Sequence, residues 1–424
     1  MGPFTLFDKS FLQSLSVDES VWFDHFFVPV VCPLFFVETL ADLAKEMKEG
    51  SLRTAEDEVR IVADKTPVLS GMPCVHHGEL CVGSLMGTFA PHPGQIPMAG
   101  GRPVRNPEGK PGVVFKNSPE AEAFARWQRG QFLEVERGAA ADWRRMLSEL
   151  DLQAVGRGMQ ALGITPQNCK TIEEAHGIAS SLVHTEAAPE QQLRLMFTFV
   201  DVPGRFQRAI HERWREAGFP PLAQFAPYAA HVLKVELFFQ IALAAKLIAA
   251  ERASNRADIA YLFYLPFCNV FVSADKLHRR CVQPFLRKDQ DFAWGPDLKA
   301  DLSRINVELS GASEAERLQG LHKFAPRPPG DVGNLVPSLW HRHGFELQKP
   351  EEQETAVPPE AHDKLLAHLR GFQEAATAPE VAEMPSDDLE SLSIERLVPP
   401  KKGSWWLIPK HVADEERRQG RTVE

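Results

Sequence analysis

Apolar and polar positions divide this chain into segments of three kinds: short apolar runs, stretches of helical period, and stretches with no period. Residues 3 to 8, PFTLFD, form an apolar run closed by Asp8 and predict a first strand. Ser10 to Phe27 is amphipathic at helical spacing, and Val28 to Val31 is a β-branched run around Pro29. Pro33 stands where a helix can begin. Leu34, Val37, Leu40 and Leu43 then share one face as far as Gly50. Residues 66 to 118 are rich in Gly and Pro and read as a long irregular excursion. Helical period returns over 119 to 163, Thr171 to Ser181, Pro189 to Phe199 and Arg205 to Ala217. Ala223 to Arg252 is apolar around a broad face, the mark of a central core helix.

The stretch from Asn255 to Arg280, NRADIAYLFYLPFCNVFVSADKLHRR, organises the second half. Asp258 opens a short apolar helix, Pro266 ends it, Asn269 to Ser273 reads as a strand, and Asp275 stands at the strand's end. A helix over WGPDLKADLSRINVEL follows. Residues 326 to 400 are Pro-rich and then acidic, with one amphipathic piece from His362 to Phe372. They predict a disordered acidic linker. The final GSWWLIPKHVA reads as a short apolar segment that docks on the body. The expectation is an α/β chain: core parts at 1–50 and 223–325, a mainly helical insertion at 51–222, a linker at 326–400 and a docking segment at 401–424.

Composition alters this picture in two places. The net charge of −10 lies in the linker: Glu346 to Glu395 holds thirteen acids against three Lys or Arg. The body is therefore neutral overall, and its basic patches must be read locally. The six cysteines (32, 74, 81, 169, 268 and 281) are scattered, as expected of reduced thiols in a cytoplasmic protein. The N-terminus lacks a basic run followed by an apolar core, and no stretch of 18 apolar residues occurs, so neither a secretory signal nor a membrane span is expected.

Four carboxylates lie at the boundaries of apolar elements: Asp8, Glu38, Asp258 and Asp275. Acids that converge repel one another unless a hard divalent cation neutralises them, and such a site supports phosphodiester hydrolysis. Singly, such an acid is more often a helix cap or turn former than a ligand. LFDKS at 6–10, PLFFVETL at 33–40 and DIAYLFYLPFCNVFVSAD at 258–275 resemble the signature of PIN-like nucleases. In that family an Asp ends the first strand with Ser or Thr close behind, matched here by Asp8 and Ser10. A second acid in the helix after the next strand matches Glu38. A third opens a helix leading to a strand that ends in Thr/Ser-x-Asp, matched by Asp258, Ser273 and Asp275. The resemblance covers roughly 90 residues in two blocks, with some 200 residues between them that a minimal domain of this family lacks. It implies a parallel-sheet core flanked by helices, a metal site of Asp8, Glu38, Asp258 and Asp275 holding Mg²⁺ or Mn²⁺, and a nuclease that acts most often on RNA.

Ser10 and Ser273 are positioned to orient these acids, with ordinary turn hydroxyls as the alternative. Lys276, Arg279 and Arg280 directly after Asp275 are candidate phosphate contacts, with a solvated helix face as the alternative. Arg126, Arg129, Arg137, Arg144 and Arg145 surround Trp127 and Trp143, whose simplest role is core packing. Cys74, His76, His77 and Cys81 hold zinc-type ligands at a spacing no common finger uses. Rival readings are a nuclease of DNA or of branched structures, and a non-catalytic module whose insertion binds a protein. The acidic linker could also occupy a basic groove as a nucleic-acid mimic.

Overall fold

The computed structural model describes residues 2–47, 50, 52–67, 74–91, 94, 97, 101–105, 111–115, 119–345 and 401–420. The amphipathic piece at 362–372 and the acidic linker lie outside them.

The strands are β1 (Phe4–Phe7), β2 (Val28–Val30), β3 (Gly101–Arg105), β4 (Pro111–Phe115), β5 (Val270–Ser273) and β6 (Asp291–Trp294). Four of them form one parallel sheet in the order β2-β1-β5-β6. Phe4 to Leu6 pair with Val28 to Val30, and Thr5 to Phe7 pair with Val270 to Val272. The chain leaves β1 towards β2 and returns on the other side as β5. The strand order therefore reverses between β1 and β5, and open sheets of this type bind ligands at the carboxyl ends beside such a reversal.

Both sheet faces are covered. Phe7 meets Phe23 and Phe35 edge-on at 5.6 and 5.0 Å, holding the helices Val17–Phe26 and Pro33–Ala41 on the sheet. The amphipathic stretch from Ser10 is two helices, Lys9–Ser14 and Val17–Phe26. They are divided at Ser16, which forms a reciprocal capping box with Glu19. The next helix ends at Ala41, earlier than Gly50, and gives way to one tight turn at Asp42–Ala44.

The excursion from 66 to 118 is less irregular than its composition implies. It holds the helix His77–Met86 and the antiparallel pair β3–β4. The helical region 119–163 is three helices, Pro119–Gln128, Glu134–Ser148 and Leu152–Ala161, with Asp151 capping the last. The long apolar helix runs from Pro227 to Ala244, shorter at both ends than its apolar pattern. It packs on His77–Met86, Leu152–Ala161 and Ile172–His184, and also on the tight helical turns Tyr261–Phe267 next to the sheet. It thus joins the insertion to the core. Strand β6 was not expected: Asp-Phe-Ala-Trp is only four residues long, and it is a strand because β5 offers it an edge.

Residues 401–420 lie against the body. Trp405 is buried, meets Trp22 at 4.3 Å and donates to Asn306, while the Lys402 ammonium donates to the Thr66 carbonyl. Among the described residues, no helix is long and apolar enough to cross a membrane.

Candidate active site

The sheet places Asp8 and Asp275 just past the ends of adjacent strands. Asp8 caps the helix Lys9–Ser14 by accepting from the Phe11 N–H, and Asp275 caps Lys276–Cys281 by accepting from the Leu277 N–H. Both acids therefore do fill the capping role weighed for them. Asp258 does not open its helix, as its pattern implied; it sits one turn inside Asn255–Ala260 behind Ser254. Glu38 is in the second turn of Pro33–Ala41. These four acids, from four separate elements, line one cavity of about 260 Å³ together with Lys9, Ser10 and Tyr261.

Behind the cavity lies a buried network. Asp8 Oδ2 accepts from Ser10 Oγ at 2.6 Å and from Ser273 Oγ at 2.7 Å. Ser273 Oγ also accepts from the Asp275 N–H and lies 2.7 Å from His278 Nδ1. The other ring nitrogen of His278 faces the Asp258 carbonyl at 2.6 Å, so it must carry hydrogen. With the single Ser273 proton directed to Asp8, Nδ1 must carry hydrogen too, and the ring is an imidazolium. Burial alone would lower the pKa of His278, but the hydrogen bond and charge of Asp8, helped by Asp258, outweigh it and raise the value to about 9. Burial likewise would raise Asp8, yet His278, Ser10 and Ser273 hold it below the ordinary carboxylate range. In the sequence His278 is one residue of a basic run. The one signal was its place three residues after the last acid, on the helix that Asp275 caps.

Glu38 and Asp258 behave differently. Burial raises Glu38 to about 7, against the hydrogen bond from Tyr261 (2.6 Å) and the charge of Lys9, with Asp258 and Asp8 adding to the rise. Burial also raises Asp258 to about 6, opposed by His278 and reinforced by Asp275 and Asp8. Lys9 itself is bound to Asp42 at 2.7 Å and to the Glu38 carbonyl. Asp42 also faces Arg144 at 3.6 Å, and Arg144 donates to the Ala41 carbonyl. This tie brings the insertion helix Glu134–Ser148 over the site, where Trp143 and Leu147 form one wall.

A scan against protein-family models, a search of curated proteins and a search of solved structures return no match.

Carboxylate oxygens are the donors that hard cations such as Mg²⁺ and Mn²⁺ take, and the repulsion that neighbouring acids exert on Glu38 and Asp258 is what such a cation would relieve. As the side chains stand, no three His, Cys, Asp or Glu among the described residues are gathered closely enough to hold a metal ion. The other candidate residues separate clearly. Lys276 and Arg280 line a groove beside the acids, whereas Arg279 lies over the Trp294 ring at 4.8 Å. Trp127 is core, donating to Glu136, and Trp143 is not. Arg137 and Arg145 are paired with Glu56 and Asp142. On the long apolar helix, Glu236 binds Arg256 and Lys234 stands over Phe285. Gly295 permits the turn carrying Asp275, since a Cβ there would come within 3.0 Å of Ala274.

Proposed function

We propose that this cavity is the active site of a divalent-metal-dependent nuclease of PIN-like type, with RNA as the first substrate to test. The observation that carries this reading is the meeting of four carboxylates from separate elements in one cavity at the carboxyl edge of a parallel sheet. Asp8, Glu38, Asp258 and Asp275 would hold Mg²⁺ or Mn²⁺. Such a cation, when bound, polarises a phosphoryl oxygen and stabilises the leaving oxygen. Ser10 and Ser273 fix the direction of Asp8, and Tyr261 fixes that of Glu38. His278, buried behind Ser273, acts through Asp8 and is a positioning residue.

A second reading keeps the fold without catalysis. It is favoured by the partners that Asp8, Glu38 and Asp275 already have inside the protein. Incubating the full chain with labelled single-stranded RNA in Mn²⁺, Mg²⁺ or EDTA separates the two. The nuclease reading expects cation-dependent cleavage that falls at least about 100-fold in Glu38→Gln and Asp258→Asn. Cleavage that persists in EDTA or in both variants sinks it.

A further inference from the structure

Next to the acid cavity is a larger groove of about 910 Å³, and the two share Asp275. Its walls come from the insertion helix Leu152–Ala161, the turn after Ala244, and the segment from Ala274 to Arg280. Five cations line it, Arg157, Lys246, Arg252, Lys276 and Arg280, against the acids Glu251 and Asp275. This concentration is local in a body that is neutral overall.

What distinguishes these cations is that they gather in one groove with Asp275. Elsewhere on the insertion Arg145, Arg194 and Arg208 pair within their own helices with Asp142, Glu190 and Glu212, while Arg129 and Arg215, which lie outside this groove, form no ion pair among the described residues. In the groove, Arg157 pairs with Asp151, and Arg280 donates to the Leu247 carbonyl, fixing the turn. Lys246, Arg252 and Lys276 are exposed and form no ion pair or side-chain hydrogen bond within the described residues. Lys246 is held at φ +58°, a left-handed conformation that costs a lysine on the order of 1 kcal/mol and persists only where its surroundings impose it. Gln160 donates to the Ala244 carbonyl two residues earlier and helps impose it. The unpaired cations, from the turn after Ala244 and the segment after Ala274, line the same groove as Asp275.

The acid cavity limits what can pass. At about 260 Å³ it is slightly smaller than a pocket for a drug-sized molecule, which suits roughly one nucleotide unit. The half-buried Trp143 indole on its wall offers a face on which a base can stack.

We infer that the groove holds the phosphate backbone of a single-stranded nucleic acid leading into the acid cavity, so that the insertion selects single strands. This rests on the nuclease reading for what happens at the acids, but the binding stands separately. Lys246, Arg252 and Lys276 contact phosphates without reading bases. Trp143 stacks the base that enters the cavity.

The test is fluorescence anisotropy of the full chain in EDTA across a KCl series, with a labelled 12-nucleotide RNA, the same sequence as DNA, and a hairpin duplex. The triple variant Lys246→Ala/Arg252→Ala/Lys276→Ala should bind either single strand at least about tenfold more weakly, with a salt slope smaller by about 2. Trp143→Ala should weaken single-strand binding with the slope unchanged. Arg194→Ala/Arg208→Ala should match the wild type, and unchanged circular dichroism establishes that the variants are folded. Unchanged affinity in the triple variant, duplex binding as tight as single-strand binding, or no binding by the wild type overturns the inference. If the triple variant binds and cleaves like the wild type, the groove assignment falls and hydrolysis stands. If the triple variant loses binding but the wild type never cleaves with Mg²⁺ or Mn²⁺, the groove stands and the hydrolysis reading falls.

Discussion

Two clusters of ligand-type side chains look equally promising by residue type, the four acids and the segment Cys74–Cys81, and the structure treats them in opposite ways. The acids meet at a cavity, with a buried imidazolium, two hydroxyls and a phenol directed at them. In the cysteine–histidine segment the two thiols lie in the apolar interior, His77 is half-buried and His76 is exposed. Cys74 and Cys81 are buried with their thiols pushed well up by desolvation, and His77 is driven down to about 3 by burial beside His76. Its ring lies 4.7 Å from Phe263. Burial holds Cys74, His77 and Cys81 neutral, whereas the acid site keeps an ion pair buried. Ligand chemistry needs neighbours that stabilise charge, and only the sheet edge supplies them.

Breaking that ion pair should have the largest effect. Asp8→Asn leaves the His278 imidazolium without its anion, and removing one partner of a buried pair costs about 3–5 kcal/mol. Urea unfolding should register that loss together with loss of cleavage. A variant as stable as the wild type would mean that His278 is neutral.

Divalent cations should act next. If the acids bind Mn²⁺, the metal at a hundredfold its dissociation constant adds about 2.7 kcal/mol to stability. Thermal melts should rise with Mn²⁺ in the wild type and stay flat in Glu38→Gln/Asp258→Asn. An equal rise in both would place the cation elsewhere.

The pH dependence is smaller and has a definite sign. His278, raised from 6.5 to about 9, contributes stability that is complete below 6.5 and is lost as pH climbs through 9. Glu38, raised from 4.5 to about 7, holds in the folded state a proton that the unfolded chain releases earlier, so stability also falls between pH 4.5 and 7. Unfolding free energy should therefore drop by about 3 kcal/mol in each window. Glu38→Gln should shrink the fall in the lower window, leaving the share that Asp258 (raised from 3.8 to about 6) contributes, with the upper window unchanged, as urea titrations at pH 5, 7 and 9 would reveal. A lower window unchanged in that variant would assign the effect to another group.

The smallest effect is expected at the contrasting cluster. His76→Ala should shift the melting midpoint by no more than about 0.5 kcal/mol equivalent, and EDTA should not shift it at all. A fall in stability with chelator would restore a structural zinc to consideration.

Much of this was legible in the residues because it is local. The short apolar runs at Phe4–Phe7 and Val270–Ser273, the helix after Pro33 and the apolar helix around Pro227–Ala244 are matters of period and side-chain shape. So was the position of acids at the ends of those runs. The break at Ser16 was also local, a capping box with Glu19, whereas the strand at Asp291 and the helix at His77 depended on partners distant in the chain, and no window of sequence contains them. His278 belongs with these. Within Lys276–Arg280 it is one basic residue among several, and only the pairing of β1 with β5 puts Asp8 in front of it. The same pairing turns four separately ordinary carboxylates into one cavity. By itself the sequence determined which elements form and where charge sits along them. The tertiary structure decided which charges share a low-dielectric space, and that distinction separates a cluster able to hold ions from one kept neutral.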